Sequence, residues 1–421
     1  MDLIIVESPK KAKTITHYLK NKYCVLASFG HVIDLPKKGL GIDVERHFIP
    51  DFEVIPGKEK VLSELKKRAL SAQTVYLATD PDREGEAIAY HIREYLLKSN
   101  KKITLKRLEF HEITIGEIQN ALKNPKEINQ SKVESQFTRR IIDRLMGFSL
   151  SPFLWKALGN YKLSAGRVQS VVLRFICEKE EEIAKFESKT YYDMKAHFEK
   201  DGIEFEAVLM QFDSLKPPFL EKEKLDELKK KLSKEFQISQ MIRKESKLFP
   251  KPPFTTSELQ KEAFLRFRFP SAKTMLIAQK LYEGVDTGKG ATGLITYMRT
   301  DSVRVSDVAM NQNRAFIKAT SPDLLSEKPR FYSNKKNTKV QDAHEAIRPA
   351  NIAITPKSVE NHLSPDEYKL YSLIWRRFTA SQMKDSVYED LKIILKNSNT
   401  TWEIKGRKRL FDGFERFYPT M

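Results

Sequence analysis

Leu3 to Val6 is a short apolar run without polar interruption. It is followed by Ser8, a helix-capping residue type, and Pro9, whose fixed φ suits a first helical position. The pattern predicts a strand and a helix running through about Lys20, with Glu7 at the carboxyl end of the strand. A second unit repeats the plan: a strand at Thr74 to Ala78, an acidic turn at Asp80 to Glu84 and a helix from Glu86 to Leu97. Ligands of open α/β sheets collect beyond the carboxyl ends of strands, so Glu7 and the acidic turn are expected to converge.

The period changes further on. From about Ser131 to Glu182 it is helical, with Arg139, Arg140 and Arg144 on one face and a Gly/Ser interruption at Leu163 to Gly166. Alternation from Tyr191 to about Ile242 predicts strands around a charged helix at Lys222 to Lys234, and the prolines of Phe249 to Phe254 mark a linker. A helical segment then runs from Thr255 to about Met383 and contains one strand-like stretch, Leu294 to Met298. The tail from Val387 to Met421 is strand-like, with little that resembles a domain end. Together these elements predict a multidomain α/β and α+β chain.

Composition narrows the class. With 421 residues, 40% hydrophobic and 31% charged, the chain has ample material for several cores, and no apolar run approaches a membrane span or a secretory h-region. A cytoplasmic protein is expected. Cys24 and Cys177 stand far apart and in no CxxC pair, which argues against a disulfide framework or a cysteine zinc site; both are expected to be buried thiols. The net charge of +18 favours a polyanionic partner, nucleic acid first, although charge alone equally suits a basic protein kept in solution by its lysines.

In ATDPDREGE, Asp80, Asp82 and Glu84 alternate, so an extended turn would set three carboxylates on one side. Mg²⁺ suits such a group, because it takes oxygen ligands and needs only one or two protein carboxylates beside a phosphate. Arg83 within the turn and Glu7 as a fourth carboxylate favour a metal and phosphate site over a helix turn that merely complements its dipole. IVESPKKAKTI together with ATDPDREGEAIAYH resembles the Toprim domain of the type IA DNA topoisomerases of bacteria. The resemblance implies that Glu7 supplies a proton to the leaving 3′ oxygen and that Asp80, Asp82 and Glu84 manage Mg²⁺. It also implies that Lys11, His31 and Arg83 act at the DNA.

A tyrosine in a strand-like run is usually packing. A phenol attacking a phosphodiester at neutral pH needs cationic neighbours and a proton acceptor, and Arg299 lies two residues beyond Tyr297, on the same side of an extended segment. GLITYMRTDS is similar to the family's active-site motif, which implies that Tyr297 is the nucleophile and Asp301 a DNA contact. By themselves, Thr300, Asp301 and Ser302 suit helix capping. QDAHEAIRP matches a further motif and implies that His344 and Arg348 approach the phosphate. Gly284, Gly288 and Lys289 imitate a nucleotide loop poorly, with the spacing one residue short and Gly290 where Ser or Thr is needed. No nucleotide is expected.

Gln136, Arg139, Arg140, Asp143 and Arg144 lie at helical spacing, and LSAGRVQS adds Arg167, Gln169 and Ser170. Such a face is ordinarily solvated surface, but both strings match the family's DNA-gripping region, which implies sequence-independent contacts to single-stranded phosphates. The implied architecture is a Toprim domain at 1–130, a helical gripping segment at 131–189, the first part of a β-rich hinge at 190–252, a tyrosine-bearing lid at 253–385 and a return into the hinge at 386–421, incomplete at its end. The implied activity is transient cleavage of one strand through a 5′-phosphotyrosine, strand passage and religation by a monomer, relaxing negative supercoils without ATP. Two other readings are a Toprim nucleotidyl-transfer or nuclease-like enzyme with a structural Tyr297, and a non-catalytic module that coats single strands.

Overall fold

The computed structural model describes residues 1–420 except 21, 220, 289 and 334–344. It consists of two compact units, the first comprising Met1–Ile176, Pro252–Phe316 and Phe331–Thr379, the second Cys177–Lys251, Ile317–Arg330 and Ala380–Met421.

Unit 1 opens with β1 (Leu3–Val6), α1 (Pro9–Leu19), β2 (Cys24–Ala27), α2 (Glu59–Ser71), β3 (Thr74–Leu77), α3 (Arg83–Ser99) and β4 (Thr104–Arg107). The strands form a parallel sheet in the order β2-β1-β3-β4. Every residue of β1 is buried, which explains its unbroken apolar run: helices cover both faces of a parallel sheet, so no side of the strand meets water. Leu62 and Leu65 of α2 and Ile88, Ile92 and Leu96 of α3 close its core.

Helix starts fix the site residues. Ser8 accepts from the Lys11 amide at 3.2 Å and caps α1. Asp82 caps α3 by accepting from the Gly85 amide at 2.9 Å, so that helix starts at Arg83, ahead of the expected Glu86. A Cβ at position 85 would collide with the backbone of Asp80, so the turn can fold this tightly only with glycine there. Asp80 is buried on Lys11, whereas Asp82 and Glu84 line one cavity, and the expected row of three carboxylates does not form among the described residues.

The chain continues through α4 (Ile115–Lys123), the long α5 (Gln130–Leu158), capped by Asn129 and ended by Gly159 at φ 64°, and α6 (Arg167–Ala184). After α7 (Lys222–Lys231), which belongs to unit 2, the chain forms α8 (Thr256–Phe267) and α9 (Ser271–Glu283) in unit 1, then α10 (Asp307–Thr320) and α11 (Pro365–Ala380), whose last residues belong to unit 2. Leu294 to Met298, expected as a strand, is buried throughout but pairs only through an isolated bridge of Ile295 to Pro349. Its apolar run reflects burial on all sides rather than a sheet.

Unit 2 holds β5 (Lys195–Lys200), β6 (Ile203–Phe212), α7 (Lys222–Lys231), β7 (Gln237–Leu248), β8 (Ser386–Asn397) and β9 (Thr400–Phe411). They make an antiparallel sheet in the order β7-β8-β9-β6-β5. Trp402, Leu209, Leu395 and Leu228 form its core. Neither cysteine matches the expected burial: Cys24 is half-buried and Cys177 is exposed. Among the described residues no helix is long and apolar enough to cross a membrane.

Candidate active site

The site lies in unit 1, at the carboxyl ends of β1 and β3. Glu7 directly follows β1, and its carboxyl group accepts from the backbone N–H of Asp80 beyond β3. Lys11, one turn into α1, is buried; its ammonium donates to Asp80 at 2.5 Å and lies 3.9 Å from Glu7. Burial pushes the Glu7 carboxyl up to about 8, the Asp80 carboxylate adding to the rise and Lys11 opposing it. For Asp80, burial is overcome by Lys11, and its carboxyl sits below the usual range. For Lys11, burial is likewise outweighed by Asp80 and Glu7, and the ammonium is held charged. Two carboxyls at one cation thus divide into a protonated and an ionised group. Glu7 and Asp80, expected as metal ligands, both lie at Lys11.

Tyr297 reaches the same place from far along the chain. Its amide donates to the His111 carbonyl at 2.8 Å, and the Thr296 amide to the Arg348 carbonyl at 2.9 Å. Gly293 admits this approach, since a Cβ there would fall 2.8 Å from the Ile113 carbonyl oxygen and 2.9 Å from that of Tyr282. Tyr282 donates to the Phe110 carbonyl at 3.0 Å and meets the Tyr297 ring edge-on at 5.3 Å. The Tyr297 hydroxyl donates to Asp82 Oδ2 at 2.6 Å, and Arg299 Nη1 lies 3.6 Å from that oxygen. Burial, then Asp80 and Asp82, raise the phenol above its ordinary value, against which Arg299 acts. At rest the nucleophile candidate is therefore a protonated phenol with an acceptor already in place.

A cavity of about 660 Å³ opens beside this pair, and Asp82, Arg83, Glu84, Arg139, Arg299 and Asp301 line it. Glu84 receives His31 Nε2 at 3.3 Å and Gln136 Nε2 at 3.1 Å, and the His31 contact leads in holding its carboxyl low. No three ligating side chains converge on one point among the described residues. Asp82 and Glu84 facing an open cavity still fit Mg²⁺, a hard ion that keeps most of its water and takes few protein oxygens.

The gripping residues divide by partner. Arg140 forms a two-pronged pair with Asp34 at 2.8 and 2.6 Å. Arg144 donates to the carbonyls of Pro36 at 2.8 Å and Gly39 at 3.3 Å. Arg167 holds Asp143 at 2.9 Å, whereas Arg139 is 3.8 Å from that carboxylate. Gln169 and Ser170 are engaged locally, with Ser164 and the Gly166 amide. The structure does not bring Arg348 to the cavity: its buried guanidinium lies between Glu112 at 2.8 Å and Glu345 at 2.7 Å, where it ties the segment after Tyr297 to the Toprim-like part. His344 lies outside the described residues. Sequence reading missed Arg107, which is buried on Glu86 at 2.9 Å, together with Tyr282 and Glu112; a lone arginine or tyrosine without a spaced partner carries no signal in the chain.

A parallel sheet with an acidic turn at its strand ends is the arrangement of a Toprim domain, a class that takes a divalent cation, and the Toprim domain model matches residues 2–113. The model described as DNA topoisomerase matches residues 127–421, and the chain belongs to that family. It is 45% identical to DNA topoisomerase 1 of Campylobacter jejuni over 100% of this chain and 60% of that protein. It is likewise 45% identical to DNA topoisomerase 1 of Thermotoga maritima, over 99% of this chain and 64% of the relative. The solved structure of full-length topoisomerase I from Thermotoga maritima superimposes with a TM-score of 0.85 at 42% identity, covering 100% of this chain and 68% of that one. The chain thus spans under two thirds of the length of the two curated relatives.

Proposed function

We propose that this chain carries the cleavage and religation centre of a type IA DNA topoisomerase. The observation that supports it most is the Tyr297 hydroxyl on Asp82, with Arg299 at the same carboxylate and the protonated Glu7 nearby. In cleavage, Tyr297 Oη bonds to phosphorus, the P–O3′ bond breaks, Asp82 takes the phenol proton and Glu7 gives its proton to the departing 3′ oxygen. Arg299 meets the charge that builds on the phosphoryl oxygens. Mg²⁺, held by Asp82 and Glu84, would neutralise phosphate charge when bound. Religation runs the same proton transfers backward, and the phosphotyrosine diester conserves the bond energy, so no ATP is needed.

Arg139, Arg83 and His31 are read as contacts to a single strand leading to the cavity, and Asp301 as a contact at its rim. Relaxation of negative supercoils, by a cytoplasmic monomer, is the reading for the whole protein. The test is a 3′-labelled single-stranded oligonucleotide incubated with Mg²⁺ and denatured. Labelled protein that disappears in Tyr297→Phe is expected. Label retained in that variant would refute Tyr297 as nucleophile, whereas cutting of the oligonucleotide without labelled protein, undiminished in Tyr297→Phe, would favour the nuclease-like reading.

A further inference from the structure

Three consecutive carbonyls of the acidic turn are each gripped by a cationic side chain. Arg107 Nη1 donates to Thr79 O at 2.9 Å and Arg107 Nη2 to Asp80 O at 2.8 Å. Lys132 Nζ donates to Pro81 O at 3.0 Å. Pro81 stands between Asp80 and Asp82, so Lys132 acts on the peptide unit that aims Asp82. With its backbone oxygens occupied, the turn has little freedom to rotate its carboxylates, which is what a weakly held, water-rich cation requires of its ligands.

Lys132 is an odd residue for its place. It lies in the first turn of α5, where the helix dipole disfavours a cation, and that turn has no acidic residue. Its compensation comes from Glu109, which it meets at 2.9 Å and which also takes Lys126 at 2.6 Å. Since Lys126 already neutralises Glu109, Lys132 is not needed for charge balance there. Its side chain is only 10% exposed, and its further donor goes to Pro81. One turn on, Gln136 of the same helix holds Glu84 at 3.1 Å. Helix α5 therefore touches the acidic turn at two points, i and i+4, and the next residues along it are Arg139 and Arg140.

We propose that Lys132, seated on Glu109, is a positioning residue that locks the acidic turn to α5, so that a strand bound along α5 and a cation at Asp82 and Glu84 strengthen each other. The inference rests on the metal reading above. Linkage is reciprocal: whatever factor the strand adds to cation affinity, the cation adds to strand affinity.

The test is Mg²⁺ binding by titration calorimetry in the Tyr297→Phe background, at constant ionic strength, with and without a short single-stranded oligonucleotide. With Lys132 intact, the oligonucleotide is expected to tighten Mg²⁺ binding. Lys132→Met is expected to weaken Mg²⁺ about tenfold, the scale of one hydrogen bond to a charged group, and to abolish the effect of the oligonucleotide. Lys132→Arg should restore both, and Glu109→Gln, which unseats the ammonium without removing it, should mimic the Met variant in part. Met and Gln variants that fold and keep the parental Mg²⁺ affinity and coupling would overturn the positioning role alone. No Mg²⁺ heat in the Lys132 parent would overturn the metal reading itself.

Discussion

Charged residues are dense in both units, yet they do opposite things. In unit 2 exposed pairs join neighbouring strands of an antiparallel sheet: Arg407 with Asp390 at 2.6 Å and Lys195 with Glu206 at 2.9 Å. These carboxyls are lowered by their partners' hydrogen bonds and remain wet, as surface pairs do. In unit 1 the same residue types lie under helices at the ends of parallel strands, where desolvation dominates. There Glu7 and Tyr297 are pushed up and kept protonated, while Asp80 is held ionised by Lys11. Burial, not charge count, separates a site from a decorated surface.

The largest expected effect beyond loss of Tyr297 is on folding. Trp402→Ala in the unit 2 core should cost about 3–5 kcal/mol, read as a loss of chemical-denaturation stability, while the folded fraction still forms the tyrosine adduct. A variant with wild-type stability would mean that this core does not hold unit 2 together. Glu7→Gln should slow adduct formation by about 10²-fold, the scale of one general acid. It should also remove a pH limb. The folded protein keeps the Glu7 proton to about pH 8, whereas the unfolded chain releases it near 4.5. Wild-type cleavage should therefore decline as pH rises past about 8, and stability should fall with rising pH between those values, because the native state binds the extra proton. A pH profile unchanged in Glu7→Gln would remove the acid role.

Arg139→Ala should weaken binding of a single-stranded oligonucleotide several-fold and flatten its salt dependence by roughly 0.7 in the log–log slope, one phosphate contact. An unchanged slope would return Arg139 to ordinary surface. The smallest effect is reserved for Asp390→Asn, which should leave the melting temperature and cleavage within scatter of wild type. A large loss there would break the contrast between the units.

How much of this was legible in the chain follows the same division. The strand of Leu3 to Val6, the proline-led α1 and the acidic turn were visible because local pattern and cap chemistry agree there. Tyr297 was visible only through its motif, since its buried run looks like any core segment. The inward turn of Asp80 was not visible, because it depends on Lys11, which is remote along the chain and meets it only after folding. The partners of Arg348 and Arg144 were not visible for a common reason: an arginine in a motif does not declare whether its guanidinium meets phosphate, buried carboxylates or backbone carbonyls. Lys132 gave no signal at all, because its meaning depends on Pro81, which is distant in sequence and near only after folding.

The bond between Tyr297 and Asp82 also bears on safety. On the proposed function, a protein that opens the genetic polymer does harm if it nicks whatever brushes past it. The attacking oxygen carries its hydrogen and donates it to the carboxylate proposed to receive it. On the proposed chemistry, breakage is thereby conditional on a strand whose phosphate meets Tyr297 while that proton crosses to Asp82.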